Sequence, residues 1–446
     1  MIVMIDSNDV FIRNDIKTKY NNIKNFNPGN FYPEFDNWNI KIESDYVVYD
    51  EIRNLLLDMK LDEKNIGTNK WNPFKDFIKE GDQVLIKPNL VRHKNPSPFG
   101  SLKSTITNYS VIRPILDYTI KAIGTSGKII IADAPVQECD FEKLLSKSKL
   151  EYLISNYTNI KNIQLYDLRK NQNANVNTVS IDLGSKSFFC DNSLKNKEYL
   201  ISNYSDNIMK KNHNNNHHIY ITSDIVLESD VIINVFKPKC HRIAGLTASM
   251  KNLIGTISKK ECLPHYSHGS IKDNGDEYPY LSNYRKFCYK IFNKKSKYMI
   301  PFQLFLKTFN QLIPDKSTIN GCWYKNDTIW RTILDVNNII DFSNKKGKLS
   351  FDKKQRIIFN IGDMIISGEK NGPLHPRDKY VGCLVAGFNR NSIDNVICDA
   401  MGFEKEYIRY LINNQNYKLY INGLKSETIK NYKFKPADGW SIVKKN

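Results

Sequence analysis

Short unbroken apolar runs, each closed by polar residues or proline, recur along this chain, and longer amphipathic stretches lie between them. Residues 81–91 carry Val84-Leu85-Ile86 ahead of Lys87-Pro88-Asn89, and residues 128–135 carry Ile129-Ile130-Ile131 ahead of Asp133. Residues 163–168 and 229–235 repeat the pattern, the last ended by Pro238, which lacks a backbone donor and cannot continue a ladder. Apolar residues at successive positions, without alternation, fit strands buried on both faces. Between the first two runs, residues 110–123 have the spacing of an amphipathic helix, and a second helix is expected over 138–156. Strand, helix and strand at that spacing imply a parallel, right-handed crossover. The pattern therefore predicts an α/β fold with a mainly parallel sheet and flanking helices.

After Pro238 the apolar period changes. Leu246, Met250, Leu253, Ile254 and Ile257 recur every three or four residues, which predicts a helix over 244–257 whose apolar stripe packs on the sheet. Ala244, Ala248, Lys251 and Gly255 would then share another face. Residues 356–363 and 380–387 return to strand character, and 391–402 read as a helix closed by Gly402. Elsewhere regularity fades. Residues 1–80 read as an Asn-rich, irregular extension with a strand at 46–49 and a helix at 52–59. The domain proper is expected over 81–415, with an Asn- and Lys-rich insertion at about 169–224, a helical one at about 278–350, and a tail at 416–446.

Composition narrows the partners. With 446 residues, of which 41% are hydrophobic and 25% charged, the chain can bury a large core and is not disordered throughout. A net charge of +18 raises the question of nucleic acid. Lysines are spread evenly among asparagines and isoleucines, however, and no helix-turn-helix, zinc-finger or aromatic RNA-binding pattern accompanies them, so that partner is not expected. One basic segment, 286–307, interleaves lysines with aromatic residues in a way that suits peripheral membrane contact, although a solvated helical face is the simpler account. Eight cysteines lie scattered without a C-x-x-C pair, which argues against a zinc ribbon or an iron–sulfur cluster. With no leader pattern and no apolar run near the ~18 residues of a membrane span, a cytoplasmic protein is expected.

Candidate chemistry concentrates where the strand ending at Val235 gives way to Lys237, Lys239, His241 and Lys251. In open α/β sheets ligands bind at that end of the strands, near helix starts. Other strand ends add Lys87, Asn89, Asp133 and Asp363, and Glu369 opens a Gly372-Pro373 turn able to present a carboxylate. A parallel sheet would gather these residues on one edge. They suit an anionic small molecule held by Lys87, Asn89, Thr107, Lys237, Lys239 and Asn252, with Lys251, His241, Asp133 and Glu369 as catalytic candidates. Thr107-Asn108 also reads as a helix cap. His265 and His268 form an H-x-x-H pair that could serve a divalent metal, with no third ligand fixed by spacing. A lysine followed by a histidine equally suits a covalent anchor and a base. The three histidines within 212–218 read as an exposed loop. No Walker A, G-x-G-x-x-G or G-x-S-x-G sequence is present, against nucleotide-hydrolase and serine-hydrolase chemistry.

Together these motifs resemble the family called domain of unknown function 362 (DUF362). Its members show a strand ending in K-P-N, a T-[DHN]-P step into a helix, a strand ending in Asp, and K-x-K-x-H followed by T-x-x-x-K-N-x-x-G. An E-G-x-G-P turn and a D-x-x-x-x-x-x-M-G helix complete the pattern. Here Lys87-Pro88-Asn89, Thr107-Asn108, Asp133, Lys237-Pro238-Lys239-Cys240-His241 and residues 247–255, 369–373 and 394–402 match, across 80–410 with gaps. Tyr109 replaces the usual proline and Lys370 the usual glycine. Some members carry ferredoxin-like cysteine clusters; this chain has none, so an iron–sulfur role does not transfer. The order H-x-x-A-G-x-T-x-x-x-K-x-x-x-G is also distantly similar to a segment of nickel-pincer lactate racemases, in which the lysine tethers the cofactor and a later histidine binds metal. That resemblance implies those roles for Lys251 and for His265 or His268, with isomerase- or racemase-like chemistry. The sequence thus sets an enzyme using acid–base or metal-assisted chemistry beside a non-catalytic ligand-binding or membrane-peripheral scaffold, and names neither cofactor nor oligomeric state.

Overall fold

The computed structural model describes residues 7–17, 20, 27–38, 42, 47–157, 162–170, 172–202, 204, 206–279, 301–302, 320–411 and 417–443. Its first half runs β1 (Val10–Arg13), α1 (Val47–Asp58), β2 (Gln83–Pro88), α2 (Tyr109–Ile123), β3 (Lys128–Asp133), α3 (Phe141–Ser148), α4 (Leu150–Ser155) and β4 (Ile163–Asp167). Then come β5 (Thr178–Asp182), β6 (Tyr199–Leu200), α5 (Asp206–Asn212), β7 (Ile219–Ser223), α6 (Asp224–Glu228), β8 (Val231–Phe236), β9 (Lys239–His241), β10 (Gly245–Thr247), α7 (Ser249–Asn252) and β11 (Tyr266–Ser267). The chain closes with α8 (Ile329–Phe342), β12 (Ile357–Asn371), β13 (His375–Gly387), α9 (Arg390–Met401), β14 (Leu419–Ile421) and β15 (Leu424–Ser426).

The main sheet has the order β15-β14-β1-β13-β12-β8-β2-β3-β4. From β12 to β4 every pairing is parallel, whereas β12 and β13 form a long antiparallel hairpin. The continuous apolar runs explain the parallel half. Val84, Ile86, Ile129, Ile131 and Ile233 enter one core, under α1 and α2, while Leu85, Ile130 and Ile232 enter the other, under α8 and α9. The fold is thus α/β with a mainly parallel central sheet and flanking helices, as the pattern predicted.

Several elements differ from expectation. Val47 to Tyr49 belong to α1 and not to a strand, because Val48, Ile52, Leu55 and Leu56 bury one helical face. The helix expected over 138–156 is split into α3 and α4 at Lys149, which adopts φ 59°. Residues set apart as extension and tail supply β1 and β14, which pair in parallel, and Phe434 and Trp440 join the core. The largest difference lies at 239–257. The stretch expected to be one helix instead supplies β10, which pairs with β9 in a hairpin, then α7 and a 3₁₀ turn over Leu253–Thr256. Gly245 breaks the helix with φ +81°, and any side chain there would strike Ile408 and Trp440. His213 and His218, expected in an exposed loop, are buried against Phe189. The basic segment 286–307 lies outside the described residues apart from Pro301 and Phe302. No described helix is long and apolar enough to cross a membrane.

Candidate functional site

The carboxyl ends of β2 and β3 and the β9–β10 hairpin open into a cleft of about 410 Å³. Its polar lining includes Lys87, Asn89, Asp133, Lys239, His241, Arg242, Thr247, Lys251, Asn252, Lys260 and His265. The structure therefore brings together most of the residues singled out from sequence. The β9–β10 hairpin and α7 supply the lysine-rich side, and the tip of the β12–β13 hairpin, from Asn371 to His375, borders the cleft.

Two polar arrangements fix the floor. Lys87 Nζ meets Asp133 Oδ1 at 2.7 Å, both groups buried, and Asp133 also accepts from Ala134 N–H at 3.0 Å and Leu90 N–H at 2.6 Å. A carboxylate held by three donors ties β2 to β3, leaving it poorly placed to act as a base. Gly255 makes the pair possible, since a β-carbon there would occupy the space of Asp133 Oδ1 and Lys87 Nζ. The second arrangement is a chain of amides. Lys239 Nζ donates to Asn89 Oδ1 at 2.8 Å, Asn89 Nδ2 to Asn252 Oδ1 at 2.8 Å, and Asn252 Nδ2 to Asn234 Oδ1 at 2.8 Å. Asn234 Nδ2 continues to Asn360 Oδ1 at 3.0 Å, so the chain spans β2, α7, β8 and β12. Asp394 of α9 caps α7 from outside, accepting from Ser249 N–H at 2.7 Å and Met250 N–H at 3.1 Å. That contact gives the D-x-x-x-x-x-x-M-G motif a physical role, orienting the turn that carries Lys251.

The amines above this floor are poorly solvated. Burial pulls Lys251 down to about 7, with Lys260 adding repulsion, and Lys251 makes no hydrogen bond or ion pair among the described residues. Burial likewise brings Lys239 to about 7 and Lys260 to about 8. The two histidines present opposite faces. His241 Nδ1 accepts from Ile243 N–H at 3.0 Å and Ala244 N–H at 3.1 Å, so its proton resides on Nε2, a donor. His265 donates Nδ1–H to the Leu263 carbonyl at 2.8 Å, which leaves Nε2 as an acceptor. Burial, followed by the charge of Lys251, holds His265 down to about 3, and burial also pushes His241 well below its ordinary value.

Other candidates lie elsewhere. Lys237 is fully buried against Asp363 at 2.9 Å and Tyr20 Oη at 3.1 Å, outside the cleft lining. Thr107 is structural, with Oγ1 donating to the Val235 carbonyl at 2.7 Å and accepting from Asn89 N–H at 2.9 Å, while Asn108 caps α2. Glu369 accepts from Lys435 N–H at 3.0 Å and faces Lys379 at 3.5 Å, so the hairpin turns this carboxylate away from the lysines. His268 pairs with Glu277 at 3.0 Å, and only His265 of the H-x-x-H pair reaches the cleft. Among the described residues no group of three or more His, Cys, Asp or Glu side chains could hold a metal ion. Sequence reasoning missed Arg242, Thr247 and Lys260. The first two sit inside the quoted motifs, but nothing in their local spacing marks Lys260.

A second hollow, about 390 Å³, lies at the opposite, amino ends of β8 and β12 and includes Asp230 and Arg356. Arg356 spends its donors on the carbonyls of Leu227 at 2.9 Å and Ser343 at 2.7 Å, among others, and so locks loops together. The lysine cleft is the stronger site.

Fold and cleft together define an open-sheet α/β protein with amines gathered at its strand ends. Residues 197–399 match the family model described as Domain of unknown function (DUF362), the family to which the motifs pointed, and that span runs from β6 into α9. The Lys87 and Asp133 strand ends lie ahead of it. No curated protein matches the chain. Among solved structures, the lactate racemase apoprotein from Thermoanaerobacterium thermosaccharolyticum is similar at 12% identity and a TM-score of 0.32. The alignment covers 80% of this chain and 55% of that one, so this chain spans about half of the racemase's length.

Proposed function

We propose that the protein is a cytoplasmic enzyme acting on an anionic small molecule in the lysine cleft, with Lys251 as the reacting amine. One observation carries the reading: three polar groups around a single cavity lack partners. Lys251 has none among the described residues, and Arg242 Nε and Thr247 Oγ1 are buried without one. An unsatisfied buried polar group costs about 1–3 kcal/mol, which a ligand bonding to the Lys251 amine would recover.

The chemistry follows from protonation. An amine near 7 is substantially uncharged in a neutral solution, and therefore nucleophilic and basic. Lys239, Lys260 and Arg242 supply positive charge for an anion, whose arrival would draw protons back onto the lysines. His241 Nε2–H can hold an oxygen that gains charge, whereas Asp133 and Glu369 are both occupied. Acid–base work thus falls to amines and ring nitrogens.

Thermal unfolding at pH 7 and fixed ionic strength, with inorganic phosphate, citrate and phenylacetate as probes, tests the reading. Saturable stabilisation of the wild type by at least one probe, several-fold weaker in Arg242→Ala and Lys251→Met, is expected. No response to any probe, or equal responses in the variants, would overturn it.

A further inference from the structure

The cleft has amines at one side, and much of the remaining lining is apolar, interrupted by Gln137, Glu138, Ser202 and Tyr204. Val91 and Val136, joined by the Val136 N–H to Val91 carbonyl bond of 3.0 Å, line it together with Ile201, Ile243, Leu263 and Leu374. An inorganic anion would satisfy the lysines and leave those walls facing water. Cavities of this size and lining typically enclose an organic ligand whose few polar groups set its orientation. Three requirements follow from the side chains. Lys239, Lys260 and Arg242 require a negative group, His241 Nε2–H requires an oxygen acceptor, and the unpartnered Lys251 amine is suited to an electrophilic carbon.

Resting on the function proposed above, we infer that the ligand is a carbonyl compound bearing an anionic group and an apolar body, and that Lys251 condenses with its carbonyl carbon to form an imine. Lys251 Nζ donates its lone pair to that carbon, forming the C–N bond, while the π pair of the C=O bond moves to oxygen. His241 Nε2–H steadies that oxygen as it takes a proton from the Lys239 or Lys260 ammonium, and nitrogen returns one to the amine. The C–O bond then breaks, oxygen leaves with its pair and a second proton, given by the same lysine ammonium, as water, and the nitrogen lone pair closes C=N to give the protonated imine. One water is released and no electrons pass to or from a third species. The apolar walls slow the reverse hydrolysis by limiting water at the new bond.

Trapping with cyanoborohydride, which reduces imines to stable amines, reads this directly. The full-length protein is incubated at pH 7 with phenylpyruvate, with pyruvate, which lacks the apolar body, or with acetophenone, which lacks the charge, and adducts are located by peptide mass spectrometry. Phenylpyruvate should modify Lys251 at least tenfold more than either comparison compound, and in Lys251→Met no surface lysine should take over that yield. Phenylacetate, an anion with an apolar body and no carbonyl, separates the two readings. If it stabilises the wild type but phenylpyruvate gives no adduct, or gives one spread evenly over surface lysines, the imine fails and the anion site stands. If phenylacetate, phosphate and citrate all leave the melting temperature unchanged and no adduct forms, both fail. Equal yields from pyruvate would overturn the apolar body.

Discussion

Replacing Lys251 by methionine should make the protein more stable at neutral pH. Methionine keeps an unbranched chain of similar reach and removes the charge. Among the described residues Lys251 has no ion pair to lose, and it is 8% exposed, so the main consequence is relief from holding an ammonium in a dry site. Moving its pKa from 10.5 to about 7 corresponds, at about 1.4 kcal/mol per tenfold change, to a ceiling of ~5 kcal/mol against folding. Water entering the cleft lowers that figure, and a gain of about 1–3 kcal/mol is expected. The unfolded chain keeps this proton up to pH 10.5, whereas the folded protein releases it near 7. The penalty is therefore full below pH 7, shrinks between 7 and 10.5, and vanishes above. Urea unfolding of wild type and Lys251→Met at pH 6.5, 8.5 and 10 measures it. A variant less stable than wild type at pH 6.5, or a difference that does not shrink with rising pH, would refute the reasoning.

Other substitutions probe the surrounding structure. Gly255→Ala should cost about 1–3 kcal/mol and lower the anion response, because its methyl group invades the Lys87–Asp133 pair; equilibrium denaturation with the anion titration checks both. Asp394→Ala should cost about 1–2 kcal/mol through loss of the α7 cap and should slow labelling of Lys251, measured beside a surface lysine as reference. His213 is held down to about 3 by burial, so the unfolded chain gains a proton below pH 6.5 that the folded ring refuses. Stability should fall as pH drops from 6.5 towards 3, and His213→Gln, which keeps a donor for the Cys262 carbonyl, should show a shallower acid limb in pH-dependent unfolding. Glu369→Gln should leave anion binding within twofold of wild type, since that carboxylate faces Lys379 and the Lys435 N–H.

The parallel half of the sheet was legible because its strands are buried on both faces and so write continuous apolar runs. Lys87, Asn89, Asp133 and Lys239 were placed at the sheet's edge for a related reason, since a polar residue closing such a run lies at the strand's end. What failed did so for identifiable causes. The stripe Leu246, Met250, Leu253, Ile254 and Ile257 is buried throughout, yet burial of spaced apolar residues does not separate a helix from a hairpin followed by a turn. Only the φ of Gly245 and the capture of two backbone N–H groups by His241 decide that question. Lys237 and Lys239 look equivalent two residues apart, but Pro238 ends β8 between them, and each finds different partners, Asp363 for one and Asn89 for the other. Glu369 carries a motif signature whose target, Lys379 across the hairpin, depends on register. Lys260 and the walls contributed by Ile201 and Leu374 come from segments whose convergence is a tertiary event.

The central claim is that Lys251 is a substantially neutral amine facing an anion-binding cleft. Competitive acetylation of the full-length protein with trace acetic anhydride across pH 5–11, read residue by residue by mass spectrometry, tests it most directly. Lys251 should titrate near 7, well below the ordinary lysine value of 10.5, and should become less reactive at pH 7 when an anion that stabilises the protein is present. A Lys251 titration near 10.5, together with the exposed lysines and indifferent to anions, would contradict the account.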